Sequence, residues 1–236
     1  MGATDPLYLD PPTEADLAVA LNAWREGRIR WELDLETPWY RILRAESAEE
    51  ALGFARVCYP SDANNRFSPL RKFGAVIPAA YAGDSAETSA WEVVLRNTRH
   101  DGVRRVPARR TQDHYLIETR LLRAMNVLDI RRPEIDNLVG AGKHSPNLCA
   151  APAHLYDRTR HWAQVLLDRI PEIEGILYES FQVPGECLLL FADSNTEVFE
   201  PFGAAVAVRD EPIRSMLRHE AMRVNARVDF DGVPEL

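Results

Sequence analysis

Two short apolar runs, Ile176-Leu177-Tyr178 and Cys187-Leu188-Leu189-Leu190-Phe191, stand a few residues apart with Pro184 and Gly185 between them. Runs this short, bounded by turn-forming residues, predict two strands joined by a loop. Around them lie segments of helical period. In residues 13–33, Leu17, Ala20, Leu21, Trp24 and Ile29 recur three and four apart behind Thr13 and Glu14, which predicts an amphipathic helix with a threonine cap. Ser47 and Glu50 make a capping-box pattern ahead of Ala51, Phe54 and Ala55, and predict a short second helix. Residues 75–81, between Gly74 and Gly83, suit a buried strand, and Pro78 makes it an edge or bulged one. Asp84 or Ser85 then caps a helix that runs through Arg96. Tyr115 to Ile130 predicts two strands around a turn at Arg123 to Asn126. Pro152 to Arg169 predicts a helix stopped by Pro171, and Ala204 to Val208 a further strand. The fold class expected is α+β, with mixed, mainly antiparallel sheets and flanking helices.

At 236 residues, 46% hydrophobic and 27% charged, the chain is long enough to bury a sizeable core and too apolar for disorder. A net charge of −8 argues against a protein that coats nucleic acid or an anionic membrane, since both need a positive surface potential. Cys58, Cys149 and Cys187 are too few and too scattered for a disulfide framework, which points to a reducing compartment. The N-terminus has no basic segment followed by an apolar one, and no stretch nears the roughly 18 apolar residues of a membrane span. Pro6 stands where a myristoylation motif wants serine or threonine. The expectation is a cytoplasmic protein.

Five side chains are set into apolar or aromatic surroundings where they invite a role. Arg41 lies in Trp39-Tyr40-Arg41-Ile42, and Arg66 in a polar turn, Asn64-Asn65-Arg66-Phe67-Ser68-Pro69, suited to offering a guanidinium bidentately to phosphate oxygens. Glu92 follows Ala90-Trp91 and precedes Val93-Val94-Leu95, so a carboxylate falls inside an apolar stretch of helix where burial without a partner is costly. Tyr81 lies 11 residues before it, across a Gly-Asp-Ser turn, and both can line one pocket where a strand end meets a helix. Ser180 ends the run from Gly175 at a strand's carboxyl edge, and the absence of flanking glycines sets it apart from a nucleophile elbow. Singly, each has a plainer reading, such as a salt bridge or a snorkelling arginine.

Taken in order, Trp39-Tyr-Arg41-Ile, Asn65-Arg66-Phe-Ser-Pro, Ala80-Tyr81 through Trp91-Glu92, Gly175 through Tyr178-Glu-Ser180, and Leu188 to Phe191 resemble the RES domain, a family named for an arginine, a glutamate and a serine. The resemblance spans about residues 38–192. It leaves residues 1–37 as an N-terminal helical extension and 193–236 as a strand and helix packed on the same domain. It implies a fold like that of ADP-ribosylating toxins. It also implies consumption of NAD by hydrolysis or phosphorolysis of the nicotinamide–ribose bond, or transfer of ADP-ribose, in the toxin of a toxin–antitoxin pair whose antitoxin carries a helix-turn-helix; a homodimer is compatible with it. NAD is then substrate, and no metal is required. Carried across, Arg41 and Arg66 hold the pyrophosphate and Tyr81 stacks on the nicotinamide or its ribose. Glu92 stabilises the oxocarbenium-like ribose or orients the nucleophile, and Ser180 bonds the nicotinamide ribose. A catalytic set of Glu92, Ser180 and Arg41 and a binding set of Arg41, Arg66, Tyr81 and Ser180 follow. Where the family commonly has an asparagine after the serine, this chain offers Glu186 and Cys187.

Other motifs carry less. Gly140-Ala-Gly142-Lys143-His144-Ser145 lacks the first P-loop glycine, since position 137 is Asn137. His154 and His161 are seven apart, not at zincin spacing. The arginines Arg99, Arg104, Arg105, Arg109 and Arg110 read as a solvated loop, with contact to an acidic partner as the alternative, rather than as a nucleic-acid surface. A protein that keeps the fold and binds a nucleotide or partner without turnover is the rival reading.

Overall fold

The structure is a computed structural model that describes residues 11–60, 65–96, 98, 105–131, 147–151 and 153–230. Asn64, Arg99, Arg104 and the 137–145 segment with its partial P-loop pattern lie outside the described residues. In chain order the elements are α1 (Glu14–Arg25), β1 (Arg30–Leu33), β2 (Trp39–Arg44), α2 (Ala48–Ala55), β3 (Arg71–Lys72), β4 (Ala75–Val76), β5 (Ala79–Gly83), α3 (Ala86–Val93), β6 (Arg105–Val106), β7 (His114–Leu121) and β8 (Met125–Asp129). They continue with α4 (Asn147–Ala150), α5 (Tyr156–Arg169), β9 (Gly175–Glu179), β10 (Glu186–Phe191), β11 (Phe199–Ala207), α6 (Ile213–Met222) and β12 (Arg227–Val228).

Eight strands form one sheet in the order β1-β8-β9-β10-β5-β2-β7-β11. Its pairs are antiparallel except β8 with β9. This is the mixed, mainly antiparallel α+β architecture the sequence predicts. The sheet curls: Leu33 of β1 and Phe199 of β11, at its two ends, belong to one buried cluster with Trp39, Met125, Val127, Leu188 and Leu190. The other face carries Tyr81, Tyr178, Cys187 and Leu189 and is covered by α1 and α5 through Trp24, Trp162 and Leu166.

Four departures from the sequence reading have local causes. The first helix stops at Arg25, because Gly27 takes a left-handed φ of 76° open to glycine at no cost, and the chain re-emerges as β1. Residues before 38 are therefore more than a helical extension: β1 pairs with β8 along four positions, and Ile29 and Leu33 are buried. The run 75–81 is two strands, because Pro78 has no N–H to donate. Its second part, β5, lies between β10 and β2 rather than at an edge. Glu50 completes its capping box from one residue away, its carboxylate accepting from the Glu46 N–H while Ser47 Oγ accepts from the Glu50 N–H.

Candidate active site

The site is built on one row of residues that crosses the sheet. Tyr178 on β9 pairs with Cys187 on β10, Cys187 with Gly83 on β5, and Gly83 with Tyr40 on β2. Paired residues share a face, and Tyr81, two residues before Gly83, shares it too. Gly83 is glycine because a Cβ there would meet Ser89 Oγ at 2.8 Å and Ser89 N at 2.9 Å, so α3 rests directly on the strand. Ser89 Oγ fastens the contact by donating to the Tyr40 carbonyl at 2.6 Å. Ser85 caps α3, accepting from the Thr88 N–H, and Glu92 lies two turns on, above the row.

Beyond Tyr40 and Gly83, β2 and β5 share no further pair and part. A cavity of about 370 Å³ opens there, lined by Tyr40, Arg41, Tyr59, Arg66, Tyr81, Glu92, Arg96, Tyr156, Tyr178 and Cys187 among others. Four of the five singled-out residues border it, Arg66, Tyr81 and Glu92 together with Arg41. The fifth, Ser180, reaches the group through Glu92: its Oγ donates to Glu92 Oε1 at 2.6 Å. The same oxygen accepts from the backbone N–H groups of Gln182 and Val183 at 3.1 and 3.4 Å, which fixes the hydroxyl's direction.

Arg66 is 5% exposed, and its Nε and Nη1 are buried without a hydrogen-bond partner. The guanidinium lies 5.6, 5.9 and 5.9 Å from the rings of Tyr156, Tyr178 and Phe181. Burial works against its charge, but Glu92, helped by Tyr156, Tyr178 and Cys149, more than offsets this, and the guanidinium's pKa is raised. A buried cation with unused donors, facing a cavity, is a site prepared for an anion.

Tyr81 shares a 2.9 Å hydrogen bond with Ser68, and burial pushes its phenol up to about 12. Burial likewise holds Tyr178 and Cys187 well above their ordinary values. Cys187 is thus a neutral wall of the cavity, whereas the Glu186 carboxylate pairs with Arg131.

Arg41 is placed differently. It is 2% exposed, and alternation along β2 sends its side chain to the far face, where Cζ lies 5.0 Å from the Phe199 ring. Its Nη1 donates to the carbonyl of Ala55 at 2.6 Å and, more weakly, to those of Phe54 and Val57 at the end of α2. Burial brings its pKa down to about 10. Arg41 borders the cavity while this donor is committed to backbone.

The structure adds residues that the sequence reading missed. Arg96 lies beyond α3, which ends at Val93 rather than running through Arg96 as the sequence predicts, so helical spacing from Glu92 does not place it. It donates to Asn65 Oδ1 at 3.0 Å and stacks 5.5 Å from the Tyr156 ring. Tyr178 stands two before Ser180, and Tyr40 one before Arg41, both readable from strand alternation. Tyr156 had no local signal, since only packing of α5 against the 65–68 turn brings it to the cavity. Among the described residues no group of three or more His, Cys, Asp or Glu side chains is placed to hold a metal, and no helix is long and apolar enough to cross a membrane.

Comparison with known proteins agrees with this architecture. No curated protein matches the sequence. Among solved structures, the toxin–antitoxin complex MbcT–MbcA of M. tuberculosis contains a similar chain, with a TM-score of 0.50 and 14% identity, covering 91% of this chain and 99% of that one. The likeness is one of fold. The model of the RES domain matches residues 38–213, beyond Ser180 and through β11 to the first residue of α6, so this chain belongs to the RES domain family.

Proposed function

We propose that the protein cleaves the nicotinamide–ribose bond of NAD and acts as the toxin of a toxin–antitoxin pair. One observation carries the reading: a carboxylate aimed by a hydroxyl, Glu92 with Ser180, shares a tyrosine-walled cavity with a buried arginine whose Nε and Nη1 donors are unused. A dinucleotide needs these groups. The pyrophosphate takes the unused donors of Arg66, and the flat nicotinamide takes an aromatic wall at Tyr81.

When the glycosidic C–N bond breaks, its electron pair leaves with neutral nicotinamide, and positive charge gathers on the ribose carbon. A fixed carboxylate beside that carbon stabilises this arrangement more than the ground state. Water, phosphate or a protein side chain then supplies the electron pair of the new bond and loses its proton. In this reading Ser180 is a positioning residue: its hydrogen goes to Glu92 and its oxygen is held by two backbone donors. The family expectation of a bond from Ser180 to the ribose gives way to this role, and Arg41 is assigned to bracing α2. The fold shared with an antitoxin-bound toxin supports a protein antitoxin as partner, with a helix-turn-helix protein as the first candidate.

The test is to incubate purified protein with NAD, with and without phosphate, and to measure free nicotinamide alongside a Glu92→Gln control. Release by the wild type alone is expected, and the phosphate dependence identifies the acceptor. Binding of NAD by folded protein without release under either condition would instead favour a non-catalytic nucleotide binder.

A further inference from the structure

Arg66 does not face the cavity alone. Arg96, in the turn that follows α3, lines the same space, and the two guanidiniums stack on one ring, that of Tyr156, at 5.6 and 5.5 Å. Asn65, the neighbour of Arg66 in sequence, accepts from Arg96 Nη1 and ties the turn that carries one cation to the segment that carries the other. The backbone under Arg96 is held as well, since Arg110 Nη1 donates to the Arg96 carbonyl at 2.7 Å. Among the described residues neither guanidinium has a carboxylate within ion-pair distance. Both act on the same third group, the Tyr81 phenol, whose ionised form each would favour. Two cationic side chains thus line one cavity, Arg66 with its Nε and Nη1 unused and its charge offset by the nearby Glu92, and Arg96 bonded through Nη1 to a neutral amide. Arg66 and Arg96 together outnumber Glu92, the one carboxylate in the lining, which leaves donors for phosphate oxygens.

We propose that Arg96 and Arg66 form a two-cation clamp for a diphosphate, with Arg96 holding the phosphate that Arg66 does not. The proposal rests on the NAD reading for the identity of the site. It goes beyond that reading in assigning the second phosphate contact to Arg96, a residue outside the motifs that resemble the family, and in removing Arg41 from that role.

The experiment measures binding of ADP-ribose and of AMP by calorimetry to the wild type, Arg96→Gln and Arg96→Lys, with nicotinamide release from NAD followed in parallel. The wild type should prefer ADP-ribose. Arg96→Gln should weaken ADP-ribose binding about ten- to hundredfold, as expected for loss of charge-assisted hydrogen bonds, and AMP binding by much less. Arg96→Lys should recover part of the loss, because it keeps the charge but not the planar fork. Should Arg96→Gln fail to fold, Arg96→Lys alone must still weaken ADP-ribose more than AMP. Equal weakening of both ligands, which a merely structural role would give, overturns the clamp, and so does a wild type that binds AMP as tightly as ADP-ribose. ADP-ribose binding with the expected variant effects but without nicotinamide release would support the clamp while overturning NAD cleavage, so the two failures are separable.

Discussion

Glu92 accepts from Ser180 at 2.6 Å, and that hydroxyl is itself held by the N–H groups of Gln182 and Val183. Replacing Glu92 by glutamine keeps the shape and removes the charge. Nicotinamide release should fall about 10²- to 10³-fold, and the melting temperature should fall as well, because buried Arg66 loses the charge that offsets its burial. Ser180→Ala leaves the charge but frees the carboxylate and strips two backbone donors of their acceptor. It should slow release less and cost about 1 kcal/mol of stability, which parallel kinetics and thermal melts would resolve. Tyr81 gives a prediction in pH. Its phenol is raised to about 12 against an unfolded value of about 10, so its contribution to stability is fully present below pH ~10 and lost as pH rises towards ~12. The wild type should therefore lose melting temperature more steeply than Tyr81→Phe across that window, and a parallel decline in the two proteins would contradict it. At this scale, polar residues in apolar surroundings marked Arg66, Tyr81 and Glu92 in the sequence. Arg96 and Tyr156 stayed hidden because nothing near them in the chain distinguishes a residue that lines a cavity from one that meets solvent.

Arg41 and Arg66 look alike in sequence and part company at the level of elements. Arg66 sits in a turn over the open cavity, whereas Arg41 occupies a strand whose alternation carries it to the carbonyl end of α2, the negative end of the helix. Exchanging each for lysine should separate them. Arg66→Lys loses the bidentate grip, so KM for NAD should rise about tenfold with little change in melting temperature. Arg41→Lys cannot reach the carbonyls of Ala55 and its neighbours in the same way. It should cost about 2 kcal/mol, a fall of roughly 4–8 °C in Tm for a chain of this size, with a smaller effect on KM. A large KM effect at Arg41 without a stability loss would return it to the phosphates. Most elements were legible because their signals are local: Ser85 and Ser47 cap helices, and the apolar runs at 176–178 and 187–191 are the paired strands β9 and β10. β1 escaped the reading because its apolar residues stand at spacings that also fit a helix, and only Gly27 separates the two.

For the molecule as a whole, residues 11–37 decide whether the sheet can be completed. The RES match begins at residue 38, which invites treating what precedes it as dispensable. Yet β1 closes one edge of the sheet against β8, and α1 buries Leu17, Ala20, Ala23 and Trp24 in the cluster that also holds Tyr178 and Cys187, which line the candidate site. Burying one large apolar side chain is worth about 1.5–3 kcal/mol, and Leu17, Trp24, Ile29 and Leu33 are all 6% exposed or less. Their combined loss rivals the whole stability of a typical domain, about 5–15 kcal/mol, and would also lay bare the hydrogen-bonding edge of β8. A chain starting at residue 38 is therefore expected to be insoluble or to lack a cooperative melt. Adding residues 11–37 back as a separate peptide should restore part of the folded signal, because the missing piece is packing surface rather than covalent continuity. A truncated chain that melts cooperatively within a few degrees of the full-length protein would mean that the sheet is complete without β1, and that the lining of the cavity does not depend on α1.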